Sequence, residues 1–493
     1  MPWISLVVLL SIVSRLPQLL SPYLHLDGDE CVLGLMAQHM AAGKDFPFYY
    51  WGQGYGFSWL TSGAIAIALK TFGVSVLSVK IPMFLLWTLG CVFFYCALAQ
   101  WTAAVYAFWI TCLLVFSSSW MVWSTMAYIY TSGFIFSCLL FLLLSKLNSF
   151  KGKQIYIWIG VVLGALFFSQ PLFLIIIVAL IAYTFKKHAG LKDVFMGVLG
   201  FTGVFILAKI MALIQGNTDF WKPVVFKPDN VFHSFSILWQ RVYGGVSQIS
   251  DNIDWAAGWA TKLWCLVFVV CLVGYCVDLL KGRVNKLSTV FLVSIIFVLG
   301  VTFILNKDIY GDRYFLPLSL VLIMWVGIQG FDWLKRYSFL KPILGLVIGV
   351  FIVLGFFTSL NARLFYRSDP KSSTEVPEMQ KISKVIEFLD SYGIKHVFSI
   401  DDDLSWKVLF FSRERIIVRW MNMKARQPLY PLMVDQAYLN GERTALAGNA
   451  IDEKAALMIV APEGRTVILA DQYFVQLAPT QEMVVDKMGF QFN

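Results

Sequence analysis

Apolar runs divided by short polar loops set the terms for this chain. Eleven are long enough to read as membrane spans: Trp3–Leu20, Val76–Ala99, Ala103–Ser119, Ile129–Ser145, Ile155–Ser169, Pro171–Phe185, Val194–Ile214, Leu263–Leu280, Leu287–Leu305, Tyr314–Gly330 and Pro342–Leu360. A helix needs roughly 17–25 such residues to cross hydrocarbon. The two runs flanking Gln170-Pro171 are short, and the proline supplies the hinge between them. Only 14% of the 493 residues are charged and 58% are hydrophobic, whereas soluble chains carry about 25% charged residues. The chain therefore reads as a polytopic α-helical membrane protein. Trp3–Leu20 lacks a basic leader and a small-residue cleavage site, so it reads as a retained first helix.

Charge distribution orients these spans. The net charge is +9, yet the cations sit in short loops rather than along a stripe, which excludes nucleic acid as a partner. Four loops hold three each: Lys146/Lys151/Lys153, Lys186/Lys187/Lys192, Lys281/Arg283/Lys286 and Lys335/Arg336/Lys341. The positive-inside rule places all four in the cytoplasm. A further apolar stretch, Trp59–Leu69, is too short to span and reads as a surface helix. About eleven spans follow, with the amino terminus cytoplasmic. The loop Ser21–Ser75, the loop Gln215–Thr261 and everything after Leu360 then face outward, as in a multi-pass protein of a cell (inner) membrane. Eight cysteines show neither a disulfide framework nor zinc spacing.

The chain divides by composition into a membrane part, residues 1–366, and a polar part, residues 367–493. In the latter, Ser368–Thr374 reads as a linker and Met379–Tyr392 as an amphipathic helix closed by Gly393. His396–Ile400, Arg415–Val418, Ala456–Val460 and Thr466–Leu469 read as strands, and Pro431–Leu439 as a helix. A small extracytoplasmic α/β domain is expected.

Three carboxylates, Asp27, Asp29 and Glu30, follow the first span, and no salt-bridge partner is evident in the stretch after them. Charge kept beside hydrocarbon is expensive. A surface helix starting near Asp29, with Val32, Leu33, Met36 and Met40 on one face, would favour ionised carboxylates at its N-terminus. Such a group accepts a hydroxyl or amine proton when the other substrate leaves readily. N-capping by Asp27 or Asp29 is the plainer alternative. Phe46-Pro-Phe-Tyr-Tyr-Trp-Gly-Gln-Gly-Tyr-Gly56 follows, with no nucleotide-loop features. Its rings suit an interfacial belt or the face of a sugar, and its glycines and Gln53 are less readily explained by anchoring. Arg313, in Asp308–Tyr314, is suited to phosphate or to a bridge with Asp308 or Asp312. The loop Gln215–Thr261 carries Lys222, Lys227, His233, Arg241, Asp251 and Asp254, and reads as a lid, an acceptor groove or a solvated segment. Asp401-Asp-Asp403 follows a strand, but without a phosphate loop it reads as a carboxylate cluster, not a metal site.

The order of a first helix, Asp-Glu opening a surface helix, a Pro/aromatic/Gly stretch and a second surface helix resembles the GT-C glycosyltransferases. The closest likeness is to the branch holding protein O-mannosyltransferases and the lipid A aminoarabinose transferase. Asp-Arg-Tyr-Phe-Leu-Pro at Asp312–Pro317 is similar to that branch's Arg-Tyr-x-x-Pro at the opening of a late helix. The resemblance covers about Trp3–Leu360. It implies a glycosyltransferase of the cell envelope that takes a polyprenyl-phosphate-linked sugar donor and a lipid, glycan or protein acceptor on the outer face, among membrane lipids. It puts the catalytic carboxylate on Asp29, with Glu30 beside it. For the donor phosphate the sequence's own options are Arg313, Arg241 and Lys44, with Lys262 a further one, and Asp27, Tyr50, Gln53, Tyr55 and Tyr314 are its candidates for substrate binding. No metal ligand set is implied, and a divalent ion is compatible with the chemistry without being required. Two positions depart from the pattern. The arginine that aminoarabinose transferases carry after Asp-Glu is replaced by Cys31, Val32 and Leu33, and Trp120–Tyr128 lacks a carboxylate. A transporter or flippase, and a non-catalytic membrane assembly protein, are the competing classes. The first would place ionisable groups inside the spans near the midplane, which hold few, Arg15 lying near one end of the first and Asp278 near the inner end of the eighth.

Overall fold

The computed structural model describes residues 2–53, 56–147, 154–215, 255–305, 316–366, 375–420, 426–450, 466–469 and 472–492. Its helices are α1 (Pro2–Leu19), α2 (Gly28–Ala42), α3 (Trp59–Phe72), α4 (Val76–Trp101), α5 (Ala104–Val115), α6 (Ser118–Trp123), α7 (Ile129–Lys146), α8 (Gln154–Ser169), α9 (Pro171–His188), α10 (Leu191–Ile214), α11 (Trp255–Leu280), α12 (Lys286–Leu305), α13 (Leu316–Arg336) and α14 (Leu340–Asn361). Three more, α15 (Glu378–Ser391), α16 (Asp402–Phe411) and α17 (Leu429–Leu439), accompany strands β1 (His396–Ser399), β2 (Ile417–Trp420), β3 (Thr444–Asn449), β4 (Thr466–Leu469) and β5 (Tyr473–Leu477).

Seven of the described helices, α1, α4, α7, α10, α11, α13 and α14, are long and apolar enough to cross a membrane. The chain is an integral membrane protein of mostly helical fold with a small C-terminal sheet. The run expected as one span at Ala103–Ser119 is broken: α5 ends at Val115, and α6 begins after Phe116-Ser117. At ~1.5 Å per residue the 12 residues of α5 rise only about 18 Å, well short of a hydrocarbon core of about 30 Å.

By contacts the chain forms two compact units. The first is Met1–Leu20, Tyr55–Phe57 and Met83–Phe365; the second is Ser21–Gly54, Ser58–Pro82 and Tyr366–Asn493. The loop after the first span, which composition assigns to the membrane part, thus groups with the C-terminal region.

Within the first unit, Arg15 of α1 explains how the α5–α6 break is tolerated. Its guanidinium is fully buried and donates to the Val115 carbonyl (2.9 Å), the Trp120 carbonyl (3.2 Å), the Ser124 hydroxyl (2.6 Å) and the Ser14 hydroxyl (2.9 Å). It also lies 4.3 Å from the Trp87 ring centroid. Irregular backbone at membrane depth survives only when protein satisfies its polar groups, and a cation at a helix C-terminus also meets the favourable end of the dipole. Asp278 is satisfied in the same way, by Arg336 (3.0 Å), Trp333 Nε1 (2.9 Å) and Gln329 Nε2 (3.3 Å). Both groups hold helices together, which removes them as evidence for a transport path. Helices α8 and α10 meet backbone to backbone: a Cβ on Gly160 would stand 1.9 Å from the Gly197 carbonyl oxygen, and one on Gly200 2.3 Å from that of Ile157. Small residues at such crossings let helices approach in a solvent that gives no hydrophobic drive.

In the second unit the sheet order is β2-β1-β3-β5-β4. β1 lies parallel to both β2 and β3, while β5 runs antiparallel to β3 and β4. Helix α16 connects β1 to β2, and α17 lies between β2 and β3, as parallel pairing requires a crossover. The chain leaves β1 toward β2 on one side, and β3 is added on the other. The carboxyl end of β1 is therefore a switch point, where open sheets of this kind leave a crevice. The strand expectation at His396 stands almost unchanged. The second begins two residues later, at Ile417. Ala456–Val460 and the Ser368–Thr374 linker lie outside the described residues. Strands β3 and β5 and helix α16 had no sequence expectation.

Replacing Gly160 by Val is expected to lower thermal stability in detergent by about 1–3 kcal/mol or more through overpacking. Gly203→Ala, where no atom lies within 4 Å of the added carbon, is expected to leave the unfolding midpoint unchanged.

Candidate functional site

Helix α2 begins with a complete capping box. The Glu30 amide donates to Asp27 Oδ1 (2.8 Å), and the Asp27 amide donates to Glu30 Oε2 (3.2 Å). Asp27 is thus the N-cap, the structural alternative raised for it by the sequence. The helix closes on Gly43 at φ +67°, a conformation glycine adopts without strain. Between its ends, Glu30 through Ala37 are all buried, so α2 is enclosed by other parts of the protein. Helices α3 and α16 pack against it. Added Cβ atoms show why the approach is close: on Gly28 one would stand 3.2 Å from Trp406, and on Gly34 one would stand 2.5 Å from Phe410.

The two acidic residues expected to act together are separated by environment. Glu30 is closed off, its side chain 1% exposed, and both carboxylate oxygens accept from Lys80 Nζ, at 2.7 Å and 2.6 Å. Lys80 is itself fully buried and reaches the Tyr366 hydroxyl at 3.4 Å. With its oxygens committed to Lys80 and to the capping box, Glu30 does not fit the expected role of proton acceptor. Lys80 is the partner that reading missed. It lies in the second turn of an apolar helix, and an ionisable residue there is itself a signal.

Asp29 retains access, with 29% of its side chain exposed. Its Oδ1 accepts from Arg426 Nη1 (2.5 Å) and from the Tyr50 hydroxyl (2.9 Å), and the same guanidinium nitrogen donates to the Tyr50 oxygen (2.8 Å). Burial, reinforced by the charge of Asp29, pushes the Tyr50 phenol well above its ordinary value, so Tyr50 is a donor throughout the working range. Burial works against the charge on Arg426, but Tyr50 and Asp29 outweigh it and raise its pKa. Arg426 follows β2, and Asp402, which adds to the field on that guanidinium, follows β1. The C-terminal strands thus deliver both residues from their carboxyl ends to the start of α2. No pattern in the sequence joins Arg426 to Asp29, because nearly 400 positions separate them.

The remaining expected site residues have mixed positions. Lys44 pairs with Glu414 Oε2 (3.0 Å). Gln53 closes a turn through its amide on the Tyr50 carbonyl (3.0 Å). Tyr49, Tyr50 and Trp51 are buried, and Trp51 meets His39 and Tyr430 edge-on, so these three belong to the interior of the second unit and not to a membrane belt. Arg313, Arg241, Tyr55 and Tyr314 lie outside the described residues, as do Lys222, Lys227, His233, Asp251, Asp254, Asp308 and Asp312. Lys262 lies 5.1 Å from the Trp259 ring. Each carboxylate of Asp401–Asp403 is engaged singly: Asp401 caps α16 through the Leu404 amide (3.0 Å), Asp402 accepts from Trp406 Nε1 (2.7 Å), and Asp403 pairs with Lys407 (2.5 Å). No group of metal-binding side chains occurs among the described residues.

No family model and no curated protein matches this sequence. The solved structures do provide a likeness. The crystal structure of ArnT from Cupriavidus metallidurans in the apo state superposes with TM-score 0.64 at 11% identity, covering 97% of this chain and 98% of that one. The same protein bound to undecaprenyl phosphate gives TM-score 0.62 at 12% identity over the same shares. At such identity the likeness is one of fold, and it extends over nearly the whole of both chains.

Glu30→Gln leaves Lys80 buried without its counter-charge and is expected to cost about 3–5 kcal/mol, read as a fall in the thermal midpoint. Glu30→Gln combined with Lys80→Met is expected to recover most of the loss, because neither charge then lacks its partner. A second prediction concerns His25, which burial, and then the charge of Lys407, lower to about 4. The folded state prefers the neutral ring, so this contribution is complete above the unfolded value of about 6.5. It is lost as pH falls from there toward 4. Thermal midpoints of the native protein and of His25→Gln, measured between pH 7 and pH 4, should converge as the pH drops.

Proposed function

We propose that this chain is a membrane glycosyltransferase that moves a sugar from a polyprenyl-phosphate-linked donor to a lipid, glycan or protein acceptor on the extracytoplasmic face. The observation that carries the reading is Asp29. It is a partly exposed carboxylate at the first turn of an enclosed helix, held by Tyr50 and Arg426, on a chain with the fold of ArnT. Undecaprenyl phosphate bound to that ArnT supports a lipid-linked phosphate as the donor's leaving group. Charge counting in the cytoplasmic loops supports the outward placement of this carboxylate, away from nucleotide sugars.

The reaction that fits is a single inverting displacement. The acceptor oxygen or nitrogen forms its bond to the sugar's anomeric carbon as the bond from that carbon to phosphate oxygen breaks. The acceptor's proton passes to Asp29, and the polyprenyl phosphate departs with the bonding electrons. General base assistance of this kind contributes roughly 10²–10⁴-fold. Glu30 and Lys80 act at a distance from the chemistry, by fixing the helix turn that bears Asp29. A transporter reading finds no support in Arg15 or Asp278, since both are spent on helix contacts.

Asp29→Asn is expected to reduce sugar transfer by at least two orders of magnitude with unchanged expression and thermal stability. Mass spectrometry of envelope glycans from cells carrying either form supplies the readout, and full transfer by Asp29→Asn sinks the assignment.

A further inference from the structure

Arg426 has unused capacity. Its Nη1 serves both Asp29 and Tyr50, and its guanidinium carbon stands 5.4 Å from the Tyr50 ring centroid. Among the described residues, Nε and Nη2 make no hydrogen bond, and 30% of the side chain is exposed. A guanidinium presents five N–H donors in a rigid fork that matches a carboxylate or a phosphate edge on either side. The expected phosphate ligand Lys44 is tied to Glu414, and the arginine looked for after Glu30 is absent from positions 31–33.

We infer that Arg426, supplied by the C-terminal strands, is a donor-phosphate ligand, and that in the ligand-free protein it is parked on Asp29. This rests on the glycosyltransferase reading. The donor's phosphate monoanion competes with Asp29 for the guanidinium. When it binds, the charge on Arg426 is matched by phosphate, and Asp29 is released toward the acceptor's proton. The same exchange keeps the carboxylate neutralised whenever no donor is present, so an unpaired charge is not left in a half-buried site. Tyr50, hydrogen-bonded to both groups, keeps their spacing through the exchange.

The competition predicts opposite signs for two neighbouring substitutions. Binding of undecaprenyl phosphate to the purified full-length protein is measured in nanodiscs, with undecaprenol lacking phosphate as the second probe. Arg426→Ala should weaken undecaprenyl phosphate binding roughly tenfold or more. Asp29→Asn should strengthen it, because the guanidinium is no longer shared. Undecaprenol binding should be the same in all forms, and Arg415→Ala, at a surface pair with Asp390, should match the native protein. Arg426→Lys, which keeps the charge but loses the fork, guards against misfolding and should bind with intermediate affinity. If the native protein binds undecaprenyl phosphate and Arg426→Ala binds it equally well, the inference is overturned while the glycosyltransferase reading stands. A loss of binding in both Arg426→Ala and Asp29→Asn also overturns it, since that marks a structural role for the pair. If the native protein does not distinguish undecaprenyl phosphate from undecaprenol, the donor class itself is wrong.

Discussion

The ion pair between Glu30 and Lys80 is sealed from solvent, and a pair so placed tolerates the loss of neither partner. It joins the first turn of α2 to the first turns of α4 within the second unit. The capping box adds a second tie, through Asp27. Asp29 is thereby held on a backbone with little freedom, and its carboxylate points to partners that the rest of the unit must bring. Glycines at 28 and 34 let α16 approach closely enough to bring the C-terminal strands alongside. The position of Arg426 is a consequence of that packing.

Two neighbouring acids therefore have different chemistry for a purely geometric reason. On a helix, successive residues point about 100° apart, so one of the pair faces the interior and the other the margin. Glu30 meets an ammonium that can satisfy it completely, while Asp29 meets a guanidinium that has donors left over. The first arrangement is stable and inert. The second leaves a partly exposed carboxylate beside a cation with donors to spare.

The first unit uses cations by the same physics for another end. Arg15 is buried and, among the described residues, has no carboxylate partner. Four hydrogen bonds and the face of Trp87 take the place of one. It ties α1 across the interruption between α5 and α6, so a helix break that lipid would penalise becomes a packed joint. Hydropathy gives little notice of such a break, because the serines at 117–119 read simply as the end of an apolar run. Only the Val115 and Trp120 carbonyls, and the arginine that meets them, reveal it.

Composition and periodicity determined the class of this protein. A chain this apolar, with cations gathered in short loops, must satisfy its backbone within helices that cross a bilayer. The carboxylates after the first span were legible too, since charge beside hydrocarbon is conspicuous wherever it stands, and so was the amphipathic stripe that became α15. Tertiary structure decided everything that depended on partners. A local reading could not see how deeply α2 is buried, because part of that burial comes from α16, which lies far away in sequence. The same reading made Asp29 and Glu30 a pair and left them without cations. The cations were Lys80, 50 residues on, and Arg426, which follows β2 nearly 400 residues away. Sequence periodicity records which face of an element is apolar, and pairing between distant charges leaves no periodic trace.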